Sequence, residues 1–62
     1  MQSKIKIKVF KNDSSVLMQP CFIGWEVVAR NSSGNVIDKI RCDDYRMALE
    51  YYRAFYQLAK NN

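Results

Sequence analysis

Lysine alternates with aliphatic residues near the start of the chain, in the stretch "KIKIKVFK" at positions 4–11. Lys4, Lys6 and Lys8 occupy every second position, and no acidic residue comes before Asp13. Because successive side chains of a β-strand point to opposite faces, this spacing places the three ammonium groups on one face of a strand. Such a row of cations suits phosphate neutralisation, which releases counterions and makes the binding of a polyanion dependent on salt.

The same alternation is also typical of a strand whose outward face is simply solvated. Lysines on an edge strand discourage pairing with a second chain. The chain carries ten Lys/Arg and six Asp/Glu residues, a formal net charge of +4, which fits an anionic partner and fits solubility equally well. Both interpretations stay open from the sequence.

Catalytic chemistry has little support in the sequence. The chain has no histidine, no Ser-His or Cys-His pairing and no glycine-rich phosphate loop. Cys21 and Cys42 belong to no CxxC pair, and we expect reduced, buried or half-buried thiols, as in an intracellular protein. We therefore predict a cytoplasmic, non-enzymatic protein without metal or cofactor. No apolar stretch approaches the roughly 20 residues that span a bilayer, so we expect no membrane partner.

The hydrophobic period divides the chain into the elements that would position these residues. Period-two patterns predict strands over residues 4–10, 21–30 and 36–42. The short apolar run at 16–19 is the candidate for a fourth strand, and Pro20 should end it, mark a bulge or lie on an edge of the sheet. The stretches "NDSS" (12–15) and "NSSGN" (31–35) predict turns, with Gly34 free to adopt a positive φ.

Charge selects the register of the hairpin formed by the strands predicted at 21–30 and 36–42. A slip of one residue would push Lys39 and Arg41 into the core, so we predict the register that keeps both outside. The predicted cross-strand pairs are Trp25–Cys42, Val27–Ile40 and Ala29–Asp38 on the covered face, and Glu26–Arg41, Val28–Lys39 and Arg30–Ile37 on the other face.

The C-terminal segment changes to a helical period. Asp43 or Asp44 is expected to cap this helix, and apolar residues then recur at intervals of three and four. The predicted fold is α+β: a single small domain, residues 1–62, in which an antiparallel meander of three or four strands carries one C-terminal α-helix on one sheet face. The predicted core joins Ile5, Ile7, Val9, Ile23, Trp25, Val27 and Ile40 of the sheet to Ala48, Leu49, Tyr52 and Phe55 of the helix.

This arrangement predicts a basic open face of the sheet. If the aliphatic residues of the first strand face the helix, its lysines face away and join the cations of the hairpin. The predicted nucleic-acid-binding residues are Lys4, Lys6, Lys8, Arg30, Lys39 and Arg41, with Phe10 and Phe22 close to the bases. A sheet of this kind can lie in the DNA major groove, and its phenylalanines can instead stack on single-stranded bases.

The segment from Gly24 to Phe55, about half of the chain, resembles the N-terminal arm-binding domains of tyrosine-recombinase integrases. The matching points are the Gly24-Trp25 pair, the loop glycine Gly34 and Ala48 early in the helix. Those domains share the AP2-like fold, which lays its sheet on DNA. The resemblance therefore implies a nucleic-acid partner, with DNA favoured over RNA.

The tyrosine-rich helix supports a competing prediction, a small protein–protein interaction module. Tyr and Arg are enriched where proteins meet, and Tyr51, Arg53 and Tyr56 could form such a patch, although aromatic residues also cover thin cores. An acidic protein surface, or a homodimer through the helix or an open sheet edge, fits this alternative. By analogy, such a chain could be an adaptor or inhibitor in a bacterial or phage system. The sequence thus predicts nucleic-acid binding first and protein interaction second.

Overall fold

The computed structural model describes residues 5–61, in which four strands precede one helix. The elements are β1 (Lys6–Val9), β2 (Ser15–Pro20), β3 (Trp25–Arg30), β4 (Val36–Cys42) and α1 (Tyr45–Lys60). The strands form one antiparallel sheet in the order β1-β2-β3-β4, and α1 packs on one of its faces. This confirms the predicted α+β fold and gives the meander four strands. No helix in this part of the chain combines the length and the hydropathy that a membrane crossing requires.

The turn between β2 and β3 depends on a glycine. Pro20 ends β2, as predicted, since proline has no N–H to continue the ladder. The chain then reverses over residues 21–24, where Gly24 has a φ of 88° and lies directly against the Cys42 carbonyl. The prediction that β3 begins at residue 21 is therefore wrong. Ile23, expected in the core, lies in this turn and is 61% exposed.

The hairpin between β3 and β4 has the predicted register along most of its length. The confirmed pairs are Trp25–Cys42, Glu26–Arg41, Val27–Ile40, Val28–Lys39 and Ala29–Asp38. Near the loop the register shifts, so that Arg30 pairs with Val36 and not with the predicted Ile37. The Asn31 N–H donates to the Asn35 carbonyl at 2.9 Å, which closes the loop one residue earlier than expected. Ile37 is left as the extra residue of a bulge.

Helix α1 is capped by Asp44, whose carboxylate accepts the Arg46 backbone N–H at 2.8 Å. A helix is about 10 Å across and strands lie about 4.8 Å apart, so one helix covers about two strands. Here α1 packs mainly on β2 and β3. Val16 and Met18 of β2, which were not predicted as core residues, are fully buried under it. The buried core consists of Val16, Met18, Val27, Ala29, Cys42, Ala48, Phe55 and Ala59.

Strand β1 lies at the edge of the sheet, beside the strands that the helix covers, and all four of its residues are exposed. Ile5, Ile7 and Val9 have exposed fractions of 51%, 63% and 59%. The prediction that these three residues form part of the core is therefore wrong, because they lie on the face of β1 that points away from the helix, and the helix is in any case too narrow to cover a third strand.

The pairing of β1 with β2 fixes the direction of its side chains. Lys6 pairs with Met18 and Lys8 pairs with Val16, and both partners are buried under the helix. Since paired residues of antiparallel strands share a face, Lys6 and Lys8 lie on the helix side of the sheet. The prediction that they face away from the helix is wrong. Lys4, the third lysine of the row, lies outside the described residues.

Phe10 follows Lys8 by two residues, so it lies on the same face as Lys6 and Lys8. Its contact with the helix accounts for the direction in which the side chains of β1 point. The Phe10 ring packs edge-on against Tyr56 of α1, with centroids 4.9 Å apart and planes at 82°. The Phe10 N–H donates to the Ser14 carbonyl at 2.8 Å, which closes the turn after β1. The buried Ser14 hydroxyl donates in turn to the carbonyl of Ala59 in α1 at 2.6 Å. Because no residue of β1 is buried, we infer that this ring, next to the end of the strand, selects the face of β1 that meets the helix side.

Gly24→Ala should destabilise the fold more than Gly34→Ala. Both glycines have a φ of 88°, so each substitution adds left-handed backbone strain of about 1–2 kcal/mol. Only at Gly24 would the new Cβ also collide with a backbone carbonyl, that of Cys42, whereas nothing lies within 4 Å at Gly34. We expect the free energy of unfolding in urea to fall by at least about 1 kcal/mol more for Gly24→Ala. Equal losses would contradict the close approach.

Phe10→Ala should lower the free energy of unfolding by about 2 kcal/mol, less than for a fully buried phenylalanine because Phe10 is half-buried. Phe22→Ala is the matched control, since Phe22 is 99% exposed and its loss should change stability by no more than about 0.5 kcal/mol. Urea unfolding of the two variants measures the difference. A Phe10 variant as stable as the Phe22 variant would mean that the contact with Tyr56 does not hold β1.

Candidate functional site

A groove runs between the edge strand β1 and helix α1, on the helix side of the sheet. It has a volume of about 380 Å³ and is lined by Lys6, Leu49, Tyr52, Arg53, Tyr56 and Gln57. The groove exists because α1 covers the two middle strands and leaves β1 uncovered beside it. Lys6 contributes from the strand, and Arg53 contributes from the facing side of the helix.

A second hollow continues along the same flank of the molecule. It is lined by Phe10, Lys11, Asn12 and Lys60. The Phe10–Tyr56 ring pair joins the two hollows, since Tyr56 lines the first and Phe10 lines the second. The Lys8 ammonium group lies 5.9 Å from the centroid of the Phe10 ring, within the range of a cation–π contact.

The two hollows are lined by four of the ten Lys and Arg residues of the chain, and Lys8, over the Phe10 ring, is a fifth on the same flank. We refer to the five residues as the cationic flank: Lys6, Lys8, Lys11, Arg53 and Lys60. Within the range 5–61, no acidic residue lines either hollow, and the nearest acid along the chain is Asp13 in the adjoining turn. The lysines of β1 therefore combine with cations of the helix and not with those of the β3–β4 hairpin.

The spacing of the cationic flank follows from the two elements that carry it. Lys6 and Lys8 are two residues apart on a strand, so their Cα atoms are separated by about 7 Å. Arg53 and Lys60 are seven residues apart, nearly two helical turns, so they lie on one line of α1 about 10 Å from each other. The strand and the helix thus present two rows of cations along one groove.

Two tyrosines lie between these rows. The rings of Tyr52 and Tyr56 have centroids 6.2 Å apart and line the groove together. Burial raises the pKa of Tyr52, and the neighbouring Tyr56 adds to the shift. The Tyr52 phenol, neutral at physiological pH as tyrosines ordinarily are, provides a hydrogen-bond donor beside the cations.

The open face, the side of the sheet that α1 does not cover, carries the other predicted cations. These are Arg30, Lys39 and Arg41, the last two paired in register with Val28 and Glu26. Lys39 is neutralised by Glu26, with Nζ and Oε2 3.3 Å apart, so the ion pair is made with Lys39 although Arg41 is the register partner. The prediction that the lysines of β1 share this face with the cations of the hairpin is therefore wrong.

The predicted aromatic and interaction residues are divided between surfaces as well. Phe10 is half-buried in the cationic flank, whereas Phe22 projects from the β2–β3 turn. Arg53 and Tyr56 line the groove beside β1. Tyr51 lies about 200° around the helix from Arg53, because each residue turns the helix by about 100°. It faces another hollow with its ring packed edge-on to Phe55 at 6.2 Å. The three residues proposed as one interaction patch are thus not contiguous.

Sequence reasoning missed the contribution of Lys11 and Lys60 to this site. The seven-residue interval between Arg53 and Lys60 was a usable signal, since it places both cations on one helical line beside the apolar stripe. The shared phase of Phe10 and the lysines was a second signal. A large aromatic ring gains more from burial than a lysine does, so the face that carries Phe10 was the better candidate for the helix side.

Comparison with known proteins gave no match for this chain: no protein-family model matches it, and neither does any curated protein or solved structure. The resemblance to the arm-binding domains of integrases therefore stays a prediction.

Stability should depend on pH through Glu26 on the open face. A hydrogen bond from Gln19, at 3.2 Å, and the neighbouring Lys39 hold the pKa of Glu26 below its ordinary value of 4.5. Because the folded pKa lies below the unfolded one, the stabilisation is complete above the unfolded pKa and is lost as pH falls through the folded pKa. We expect the difference in free energy of unfolding between wild type and Glu26→Gln to be larger at neutral pH than in acid.

Urea unfolding at neutral and at acidic pH measures this difference. Glu50→Gln is the matched control for the loss of one negative charge, because Glu50 is an exposed carboxylate on the helix. A Glu26→Gln difference that is the same at both pH values would contradict the account.

Proposed function

We propose that this chain is a small, non-enzymatic module that binds single-stranded nucleic acid along its cationic flank. The observation that carries the proposal is the gathering of five cations and three aromatic rings along one side of β1, with no acid lining either hollow among residues 5–61. Phosphates provide the negative charge that such a flank is suited to neutralise.

The shape of the site favours a single strand over a duplex. Readers of duplex DNA insert a protruding helix or ribbon into a major groove about 12 Å wide. Here the cations border a groove, and proteins that bind single strands typically track the backbone in a positively charged groove of this kind. Lys6 on the strand and Arg53 on the helix would contact phosphates from the two sides of one chain.

The aromatic residues of the flank fit the same ligand. Phe10, Tyr52 and Tyr56 lie between the cations. Aromatic rings beside a cationic groove stack with bases of any sequence, since every base has a π-face. We therefore expect binding with little sequence preference and with strong dependence on salt.

The sheet-on-duplex mode that the resemblance implies has weaker support. Its contact surface would be the open face, where Ile7 and Leu17 are apolar and Lys39 is already paired with Glu26 at 3.3 Å. That face retains Arg30 and Arg41 for phosphates, fewer cations than the flank on the other side of the sheet.

Binding should be tested by fluorescence anisotropy with labelled oligothymidylate and oligouridylate at a series of salt concentrations. Lys6→Gln/Arg53→Gln should weaken binding at least about tenfold and reduce the slope of log K against log salt by about 1.4, the value for two lost phosphate contacts on a single strand. Both lost cations lie in the groove.

The matched control is Arg30→Gln/Arg41→Gln, which removes the same charge from the open face. It should weaken binding by no more than about threefold, through long-range electrostatics alone. Equal losses from the two double variants would show that net charge, and not the cationic flank, attracts the ligand. Absence of binding by the wild type at low salt would reject the proposed function.

A further inference from the structure

The open face carries an apolar stripe that helix α1 does not cover. Ile7, Leu17 and Val28 are paired in register across three neighbouring strands, which places them in one row. Val9, on the same face of β1, and Ile5, just before the strand, flank Ile7, and both are more than half exposed. We define the apolar stripe as these five residues: Ile5, Ile7, Val9, Leu17 and Val28. Ile5, Ile7 and Val9 form the exposed part of this stripe, whereas Leu17 is half-buried and Val28 is buried beside them. Exposed apolar patches with a polar rim mark interaction sites.

Charge on the open face is segregated from this stripe. The cations Arg30, Lys39 and Arg41 lie on β3 and β4, at the far side from β1. The open face therefore has an apolar half, formed by β1 and β2, and a cationic half, formed by β3 and β4. Between the halves, Val28 is only 4% exposed although no helix lies above it.

We propose that the apolar half of the open face is the interface of a symmetric dimer of this chain. A two-fold interface requires a surface that is complementary to itself. A two-fold axis through β1 and β2 would stack apolar stripe on apolar stripe. It would also carry the cationic halves of the two subunits to opposite ends, where like charges do not meet.

A second copy fits this surface better than an acidic protein does. An acidic partner would gain most over the cationic half, where Glu26 already neutralises Lys39 at 3.3 Å. A dimer formed instead by pairing two β1 edges would bring Lys6 and Lys8 of one copy beside those of the other, which like-charge repulsion opposes. Face-to-face stacking avoids both problems.

The size of the face sets the expected strength of the dimer. The apolar half comprises two strands about 4.8 Å apart and at most about 20 Å long, an area of about 200 Å², well below the roughly 800 Å² that each partner buries in a standard interface. The dimer should therefore dissociate in the high micromolar range or above. Since each subunit carries a formal charge of +4, salt should strengthen the dimer by screening repulsion.

Sedimentation equilibrium of the full chain, from micromolar to millimolar concentration and at low and high salt, tests the proposal. We expect a reversible dimer whose association constant rises with salt concentration, whereas the association constant for nucleic acid should fall. Ile7→Ser should weaken dimerisation at least about tenfold without altering the monomer, because Ile7 is 63% exposed. Far-ultraviolet circular dichroism checks that the variant is folded.

Met47→Ser is the matched control, because Met47 is 49% exposed on the helix, on the other side of the molecule. It should leave the dimer unchanged. A chain that sediments as a monomer at every concentration would overturn the proposal. So would a dimer that weakens with salt, or one that is lost in Met47→Ser and kept in Ile7→Ser. None of these outcomes bears on the cationic flank, which lies on the opposite side of the sheet.

Discussion

The contact between the rings of Phe10 and Tyr56 decides the character of both sides of this molecule. The two centroids are 4.9 Å apart, and the contact joins the end of β1 to the helix. Side chains alternate along a strand, so fixing Phe10 toward the helix also turns Lys6 and Lys8 toward it and turns Ile7 away. One aromatic contact therefore creates the cationic flank on one side of the sheet and the apolar stripe on the other.

This contact has such influence because the helix buries only two of the four strands. The core contains four residues of the two covered strands: Val16, Met18, Val27 and Ala29. Each packs among several buried neighbours, so many contacts fix the direction of its side chain. Strand β1 has no buried residue. Burial of its aliphatic side chains therefore does not oppose the packing of the Phe10 ring against the helix. A strand left uncovered in this way exposes two chemically different faces, one suited to phosphates and the other to apolar contact.

The incomplete cover of the sheet by the helix also explains which features of the structure could be predicted from the sequence. The β3–β4 register was predictable, since a slip would have buried Lys39 and Arg41. A helix cap at Asp43 or Asp44, of which the structure uses Asp44, and the loop with Gly34 were predictable from local chemistry. The side-chain directions of β1 did not follow from its alternation of lysine and isoleucine, which fits the sheet either way when neither face is covered; only the phase of Phe10 indicated them. The residue that contacts Phe10, Tyr56, lies near the other end of the chain. Val16 and Met18 were not recognised as core residues because the apolar run that contains them is short. The cationic flank combines β1 with α1, so it could be recognised only after that direction was known.

Nuclear Overhauser contacts in a methyl- and aromatic-labelled sample test this account most directly. It predicts contacts between the ring protons of Phe10 and Tyr56, together with contacts from the Ile7 methyl groups to Leu17 across the open face. Contacts from the Ile7 methyl groups to the rings of Tyr52 or Tyr56 would place the aliphatic side of β1 against the helix. That result would contradict the cationic flank and the apolar stripe together.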